Sequence, residues 1–170
     1  MNTASKLSLT VVALLALGAS AAQAQSAQIS ATATVQTALT VTAGNDLDFG
    51  PVFPGAGDRT IAPADANAGT FSLAGAAAAE VAMTFVLPPT LDRVLGGASM
   101  TIGSWTGVHN TSASAAGGTA FDPTGGPINA NLNGTGDLYV FLGATLTVPA
   151  VQTAGDYAGT ITLNASYTGN

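Results

Sequence analysis

The side chains that could support acid–base or nucleophilic chemistry are few and scattered. The sequence has one histidine, His109, no cysteine and nine carboxylates. A Ser-His-Asp arrangement would need a serine nucleophile near His109, and Ser112 and Ser114 are the candidates. Such a nucleophile usually stands on a strained turn of the G-x-S-x-G type, which the sequence lacks. The sequence therefore predicts that the protein is not an enzyme, and we expect His109 to be a solvated loop residue.

A cation site is a second possibility, because Asp46 and Asp48 are two residues apart. In a strand that spacing puts both carboxylates on one face, where they could share Ca²⁺. Calcium needs about six or more oxygen ligands, and no D-x-D-x-D-G-like loop is present. The sequence favours a polar strand face in water, with Leu47 and Phe49 buried behind it. We therefore predict no metal and no other cofactor.

Aromatic side chains offer a third possibility, a platform on which sugar rings stack. Trp105, Tyr139 and Tyr157 are the candidates, although aromatic residues in strands are more often core residues or cross-strand pairs. The segment 107–127 lacks a hydrophobic period and is rich in Ser, Gly and Thr, which is typical of a long exposed loop. A monomeric carbohydrate- or surface-binding module that uses this loop and Trp105 is therefore the alternative to a structural protein.

The elements that must position these residues begin after residue 24. Lys6, the apolar run "LSLTVVALLALG" and the sequence "AQA" ending at Ala24 have the pattern of a secretory signal peptide. The run is too short for a membrane span, and no later stretch approaches the ~20 consecutive apolar residues that a span needs. We expect a signal peptide at 1–24 and a single domain at 25–170. The predicted location is the periplasm, the cell surface or the extracellular space.

The charge of residues 25–170 excludes several classes of partner. Without Lys6 the strong bases are Arg59 and Arg93, so nine carboxylates give 2 − 9 = −7 with His109 neutral. A chain so poor in cations cannot neutralise phosphates, which excludes nucleic acid and disfavours anionic lipid. Its surface must be built from uncharged Thr, Ser, Asn, Gln, Gly and Ala. Such a surface suits contact with copies of itself.

Period-two alternation of apolar residues predicts β strands throughout the domain. About eight short strands, separated by Gly, Pro, Asn and Asp clusters and without intervening helices, indicate an antiparallel β-sandwich. We interpret the alanine-rich stretch 73–83 as a turn that enters a strand, with a short helix as the alternative. The alternating apolar positions include Leu47, Phe49, Phe71, Leu73, Met100, Ile102, Ile128, Ala130, Leu132, Leu163, Ala165 and Tyr167.

The opening segment 28–42 has the most regular alternation in the chain. Its apolar positions are Ile29, Ala31, Ala33, Val35, Leu39 and Val41. A strand this long would span roughly 50 Å, whereas a typical strand has about five or six residues. One half, about 36–42, could serve the domain's own sheet and leave 27–35 to pair elsewhere. Because an exposed alternating strand without Lys or Pro invites aggregation, we expect 27–35 to pair either with another copy or within its own chain.

The sequence at both ends of the domain resembles a known family. The matching pieces are the opening strand, "DLDFG" at 46–50, "AGDYAG" at 154–159 and the C-terminal strand that ends at Tyr167. They resemble the exported bacterial proteins of domain-of-unknown-function family 4402. More distantly, they are similar to spore-coat U-like proteins and to the pilins of archaic chaperone–usher systems.

The resemblance implies an immunoglobulin-like, pilin-like β-sandwich that serves as a fibre subunit. In such pilins the sandwich lacks one strand, which a periplasmic chaperone and then the N-terminal extension of the next subunit supply by strand addition. The residues that would fill a neighbour's groove are Ile29, Ala31, Ala33 and Val35. We therefore expect a non-enzymatic secreted structural protein, a fimbria-like or extracellular-matrix subunit that associates with copies of itself, with a chaperone as a further candidate partner.

Overall fold

The computed structural model describes residues 25–33, 35 and 37–169. The predicted signal peptide lies outside these residues. The chain divides into two compact units, Met1–Thr34 and Val35–Asn170. The described residues of the first unit, 25–33, are exposed and form no regular secondary structure. Strands make up the second unit and no described residue is helical, so the predicted all-β class is confirmed.

Eleven strands follow one another along the described chain. They are β1 (Thr40–Ala43), β2 (Arg59–Ile61), β3 (Gly69–Ala74), β4 (Glu80–Val86), β5 (Thr90–Arg93), β6 (Ser99–Asn110), β7 (Thr119–Phe121), β8 (Ile128–Asn131), β9 (Asp137–Leu146), β10 (Tyr157–Ala158) and β11 (Thr162–Tyr167). Every pairing between them is antiparallel, as predicted. The sequence indicated about eight strands. One of these, at Leu47 and Phe49, does not form, whereas β2, β5, β7 and β10 have only two to four residues and are too short to show alternation.

The larger of the two sheets has the order β1-β3-β9-β6-β5-β10. In addition, β2 pairs with β9 and β7 pairs with β6. The ten residues of β9 form its centre, with β2 and β3 along one side and β6 along the other. Between Gly103 and Thr106, β6 carries one residue more than β9 opposite, and Ser104 there has a φ of 48°. This is a β-bulge with a non-glycine residue in the left-handed region.

The smaller sheet has the order β11-β4-β8, and its apolar face packs against the large sheet. The residues buried between them, named the first core here, are Leu73, Val81, Met83, Ala130, Leu132, Leu138, Val140, Leu142 and Leu163. All of them except Leu132, which follows β8, come from strands of both sheets at alternate positions, so the predicted alternation of Leu73, Ala130 and Leu163 is confirmed. The rings of Phe85 in β4 and Phe121 in β7 stack across this core, with centroids 5.5 Å apart.

A second core lies over the other end of the large sheet. Its buried members are Phe49, Ile61, Ala68, Met100, Ile102, Ala144, Leu146 and Val148. None of them belongs to β4, β8 or β11, because at this end connecting segments cover the sheet instead. Leu47 and Val52 pack against the cluster from those segments, and Tyr157 packs against it from β10. The prediction that Leu47 and Phe49 face inward therefore holds, although residues 44–50 are not a strand.

Three further expectations need correction or support. The predicted opening strand 28–42 was too long: among the described residues of this segment and its continuation, only Thr40–Ala43 are in a strand, because β3 pairs with those residues and a strand forms only where a ladder partner exists. The segment 107–127 is not one loop, since β6 continues to Asn110 and β7 pairs with it at 119–121. The alanine-rich stretch is a turn leading into β4, as interpreted, and contains no helix.

Candidate assembly surface

The single histidine lies in a strand and is half-buried, so the expectation of a solvated loop residue was wrong. His109 is opposite Val140 on the inner face of β6, and its ring centroid is 5.9 Å from that of Phe121. Burial lowers the pKa of its imidazole. The Ser114 hydroxyl accepts a hydrogen bond from the N–H of Ala116 at 3.2 Å. Among the described residues, no serine or carboxylate hydrogen-bonds to His109, and no catalytic arrangement forms around it.

The two candidate calcium ligands do not form a shared strand face. Asp48 accepts a hydrogen bond from the N–H of Gly50 at 2.7 Å, which uses the carboxylate to fix a local turn. The described residues hold no group of three or more His, Cys, Asp or Glu side chains that could bind a metal ion. The lowered pKa of the exposed Asp122 carboxyl likewise has a local cause, hydrogen bonds from the hydroxyl and the N–H of Thr124.

The three aromatic residues proposed as a sugar platform do not share a surface. Trp105 and Tyr157 pack against the second core. Tyr139 lies on the opposite, outer face of the large sheet, together with Phe141 two residues further along β9. The platform of Trp105, Tyr139 and Tyr157 was therefore wrong, because alternation in β9 separates Tyr139 from the other two.

The segment 27–35, predicted to pair with another copy or within its own chain, is exposed where the structure describes it. Its apolar residues Ile29, Ala31, Ala33 and Val35 are all exposed, and both Ile29 and Val35 expose 97% of their surface. None of the four is in a strand. Their assignment to strand donation stays a prediction.

An edge that could accept such a strand lies along β11. Thr168 is opposite Glu80 and its N–H donates to the Glu80 carbonyl at 3.2 Å. In an antiparallel pair the residues that bond across the ladder alternate with residues that do not. The backbone groups of Leu163, Ala165 and Tyr167 therefore point away from β4. Within the described residues, β4 is the only strand that pairs with β11, so this edge is open.

In the part of the chain that the structure describes, β1 pairs with β3 alone, which leaves a second open edge on the large sheet. The N–H of Gly44 donates to the carbonyl of Thr70 opposite it at 2.8 Å, so Thr42 and Thr40 also bond to β3. The backbone groups of Val41 and Ala43 consequently point away from β3. Strand β1 ends the order of its sheet, as β11 ends the order of the other.

Between these two edges the first core is incompletely covered. Five apolar residues, named the edge strip here, pack against that core but stay partly exposed: Leu39, Val41, Ile161, Ala165 and Tyr167. At one end the strip is closed, because the Tyr167 hydroxyl donates to the Thr37 carbonyl at 2.9 Å and accepts from the N–H of Ala76 at 2.6 Å. At the other end it opens into a cavity of about 430 Å³ lined by residues that include Ala43, Gly69, Gly159 and Ile161.

Comparison with models of protein families assigns the chain to one of them. The family model described as "Domain of unknown function (DUF4402)" matches residues 3–167, which is nearly the whole sequence. The chain belongs to the DUF4402 family. The predicted resemblance to this family is confirmed, whereas the more distant one to spore-coat U-like proteins and pilins stays a prediction. No curated protein matches this DUF4402 chain.

Part of this surface was visible in the sequence of the DUF4402 protein and part was not. The alternation at 27–35 predicted a strand that pairs with another copy or within its own chain, but nothing local in 162–167 distinguishes an edge strand from a central one. The only local signal is that Thr162, Asn164 and Ser166 are polar, which indicates that one face of the strand is exposed to solvent. This polarity does not indicate whether the strand pairs on one side or on both. The part of the chain that the structure describes also contains no helix long and apolar enough to cross a membrane.

Proposed function

We propose that this protein is a non-enzymatic, exported structural subunit that assembles into a fimbria-like or matrix polymer by strand addition. The segment 27–35 of one copy pairs with the open edge of β11 in another copy and covers its edge strip. We further propose that the two sheets form an immunoglobulin-like, pilin-like sandwich in which this added strand completes the smaller sheet. The observation that carries the proposal is the open β11 edge beside a partly exposed core.

The donor segment is long enough to cover the whole acceptor strand. Nine residues in extended conformation span about 30 Å, whereas the six residues of β11 span about 20 Å. A donated strand therefore covers β11 and reaches the cavity at its open end. Alternate side chains of an added strand face the same way, so Ile29, Ala31, Ala33 and Val35 all meet the edge strip.

Burial of the donor side chains supplies the driving force. Full burial of a side chain of the size of Ile29 or Val35 contributes about 1.5–3 kcal/mol, and the two alanines between them contribute less. The backbone of the added strand also satisfies the N–H and C=O groups that β11 leaves unpaired. Ordering a flexible segment opposes both gains, so only a donor with several apolar residues in register binds.

The experiment is a proline substitution at the open edge. Ala165→Pro removes an N–H that points away from β4, so the sheet keeps its own hydrogen bonds while the ladder to an added strand is broken. We expect a labelled peptide of residues 25–36 to bind the full chain carrying Ile29→Asp and Val35→Asp, and to lose at least about tenfold in affinity when Ala165→Pro is added.

The matched control is Asn129→Pro in β8. Leu132 donates to the Ala79 carbonyl at 2.9 Å, so by the same alternation the N–H of Asn129 points away from β4 at the opposite edge of the small sheet. Asn129→Pro should bind the peptide as well as the parent does. Equal peptide affinity for Ala165→Pro and Asn129→Pro would show that β11 is not the acceptor.

A second candidate function, binding of uncharged polysaccharide, is favoured by the outer face of the large sheet. Tyr139 and Phe141 are partly exposed there. Ser72 and Asn110 are opposite Tyr139 on the neighbouring strands, and Thr70 and Val108 are opposite Phe141. Two rings about 7 Å apart, flanked by hydroxyl and amide groups, suit stacking against sugar rings.

The test of this second function is retention on insoluble neutral polysaccharides. We expect Tyr139→Ala to lose retention and to unfold at the same temperature as the parent. Trp105→Ala is not a suitable probe, because Trp105 packs against the second core and its loss destabilises the fold. Retention unchanged in Tyr139→Ala would remove the candidate.

A further inference from the structure

Apolar side chains are unusually exposed at one end of the folded unit. Phe53, Val94, Leu95 and Val151 expose 71%, 68%, 82% and 92% of their surface. Val151 follows the C-terminal end of β9, Val94 and Leu95 connect β5 to β6, and Phe53 precedes β2, which pairs with the same end of β9. We name these four side chains the tip.

Backbone hydrogen bonds tie the loops of the tip together. The N–H of Gly55 donates to the Pro149 carbonyl at 3.2 Å, and the N–H of Val94 donates to the Asp156 carbonyl at 2.9 Å. The Arg93 guanidinium also donates to the Ala154 carbonyl at 3.0 Å. Because all three loops are cross-linked, the apolar side chains stay exposed in fixed positions and do not fold back onto the core. Exposed apolar groups gathered in this way are typical of an interaction surface.

The turn at the opposite end of the unit has no charged side chain. The turn 75–79, named the base here, connects β3 to β4 and consists of one glycine and four alanines. Ala77 and Ala78 are exposed on it. Ala74 is opposite Asp137 at the N-terminal end of β9, so the ten residues of that strand separate base and tip by about 33 Å. The donor segment joins the fold at the base, since Tyr167 binds both Thr37 and Ala76.

The direction of an added strand decides which ends of two copies meet. β11 runs toward the base, because Tyr167 at its end is opposite Val81 at the start of β4. If the donated strand is antiparallel to β11, its last residue, 35, lies at the tip end of the acceptor. In the donor, only residue 36 separates residue 35 from Thr37, which lies at the base of the donor. The base of the donor then lies on the tip of the acceptor. A parallel strand would instead bring two bases together and close a two-fold pair.

We propose that copies associate head to tail, with the strand 27–35 antiparallel to β11 and the tip of each copy docked on the base of the next. The proposal rests on the strand addition proposed above. It adds the contact between neighbouring copies that lets the polymer grow by one copy after another. The exposed tip favours it: head-to-tail association covers Phe53, Leu95 and Val151, whereas a two-fold pair through the bases leaves them in water. The alanine-rich base offers them an apolar, uncharged partner with small side chains.

The test is disulfide cross-linking of the full chain, which contains no natural cysteine. The tip variant Val151→Cys and the base variant Ala77→Cys are combined in one chain. Their separation of about 33 Å rules out a bond within one copy, because bridged Cα atoms lie about 4.4–6.8 Å apart. We expect mild oxidation to give a ladder of covalent oligomers from the double variant. The control pair Val86→Cys with Val151→Cys places the second thiol on β4, outside the base, and should give no ladder.

Two outcomes would overturn the head-to-tail contact. Covalent dimers from Ala77→Cys alone would show that the bases meet. No ladder from the double variant, while the 25–36 peptide still binds as in the experiment above, would show that strand addition occurs without the tip contact. Loss of peptide binding to the parent chain is a separate result, and it would contradict strand addition itself.

Discussion

At the scale of single residues, the Tyr167 hydroxyl closes the base end of the edge strip through two hydrogen bonds. Tyr167→Phe keeps the ring in place but leaves the N–H of Ala76 and the carbonyl of Thr37 without that partner. We expect the free energy of unfolding to fall by about 1–3 kcal/mol in urea titration. Tyr139→Phe, on the outer face of β9, is the control and should change it by less than about 0.5 kcal/mol. A similar change in both variants would show that the two hydrogen bonds of the Tyr167 hydroxyl add nothing to the free energy of unfolding.

His109 gives the fold a dependence on pH. Burial lowers the pKa of its imidazole below the ordinary value of 6.5, so the unfolded chain binds more protons than the folded one in the interval between the two values. Stability is therefore highest with His109 neutral, falls as the pH drops through about 6.5, and levels off below the folded pKa. Urea midpoints between pH 8 and pH 5 should show this fall in the parent and a shallower one in His109→Gln. An equal fall of the urea midpoint in the parent and in His109→Gln would show that titratable groups other than His109 cause it.

At the scale of elements, the bulge in β6 carries a residue in an unfavourable backbone conformation. Ser104 has a φ of 48°, a region that glycine adopts at little cost and that a β-branched residue resists. We expect Ser104→Gly to stabilise the fold by a few tenths to about 1 kcal/mol and Ser104→Val to destabilise it by about 1–3 kcal/mol. Thermal melts of both provide the measurement. Ser99→Gly, in the same strand without a positive φ, should instead lower the melting temperature.

The elements also show what the sequence could predict. Alternation identified β3, β8, β9 and β11. One face of each strand contacts a core, so apolar residues recur at every second position of its sequence. It failed at 28–42, where the pattern is as regular but, of the residues that the structure describes there, only those in β1 (Thr40–Ala43) pair with another strand. It also missed β7, whose three residues pair with β6 from within a Ser- and Gly-rich stretch. Pairing is a property of two segments, so a pattern in one of them could not reveal the open edge of β11.

At the scale of the whole molecule, the net charge opposes assembly, whereas the proposed apolar contacts favour it. Residues 25–170 carry a net charge of 2 − 9 = −7, so copies repel. The donor residues, the edge strip, the tip and the base turn contain no charged side chain. Salt should therefore strengthen assembly, because it screens the repulsion and breaks no ion pair at the contacts. Between about 0.01 M and about 1 M NaCl the screening length falls from about 30 Å to about 3 Å.

Light scattering of the full chain across that range provides the measurement. We expect the mean mass to rise with salt, and to rise further when sulfate replaces chloride at equal ionic strength, because sulfate also favours burial of apolar surface. The donor variant Ile29→Ser with Val35→Ser separates the two effects: it keeps the net charge, and with it the repulsion, but lacks the apolar donor, so its mass should stay that of a monomer at every salt concentration. Dissociation of the parent at high salt would mean that ion pairs hold the copies together, which neither the edge strip nor the tip can supply.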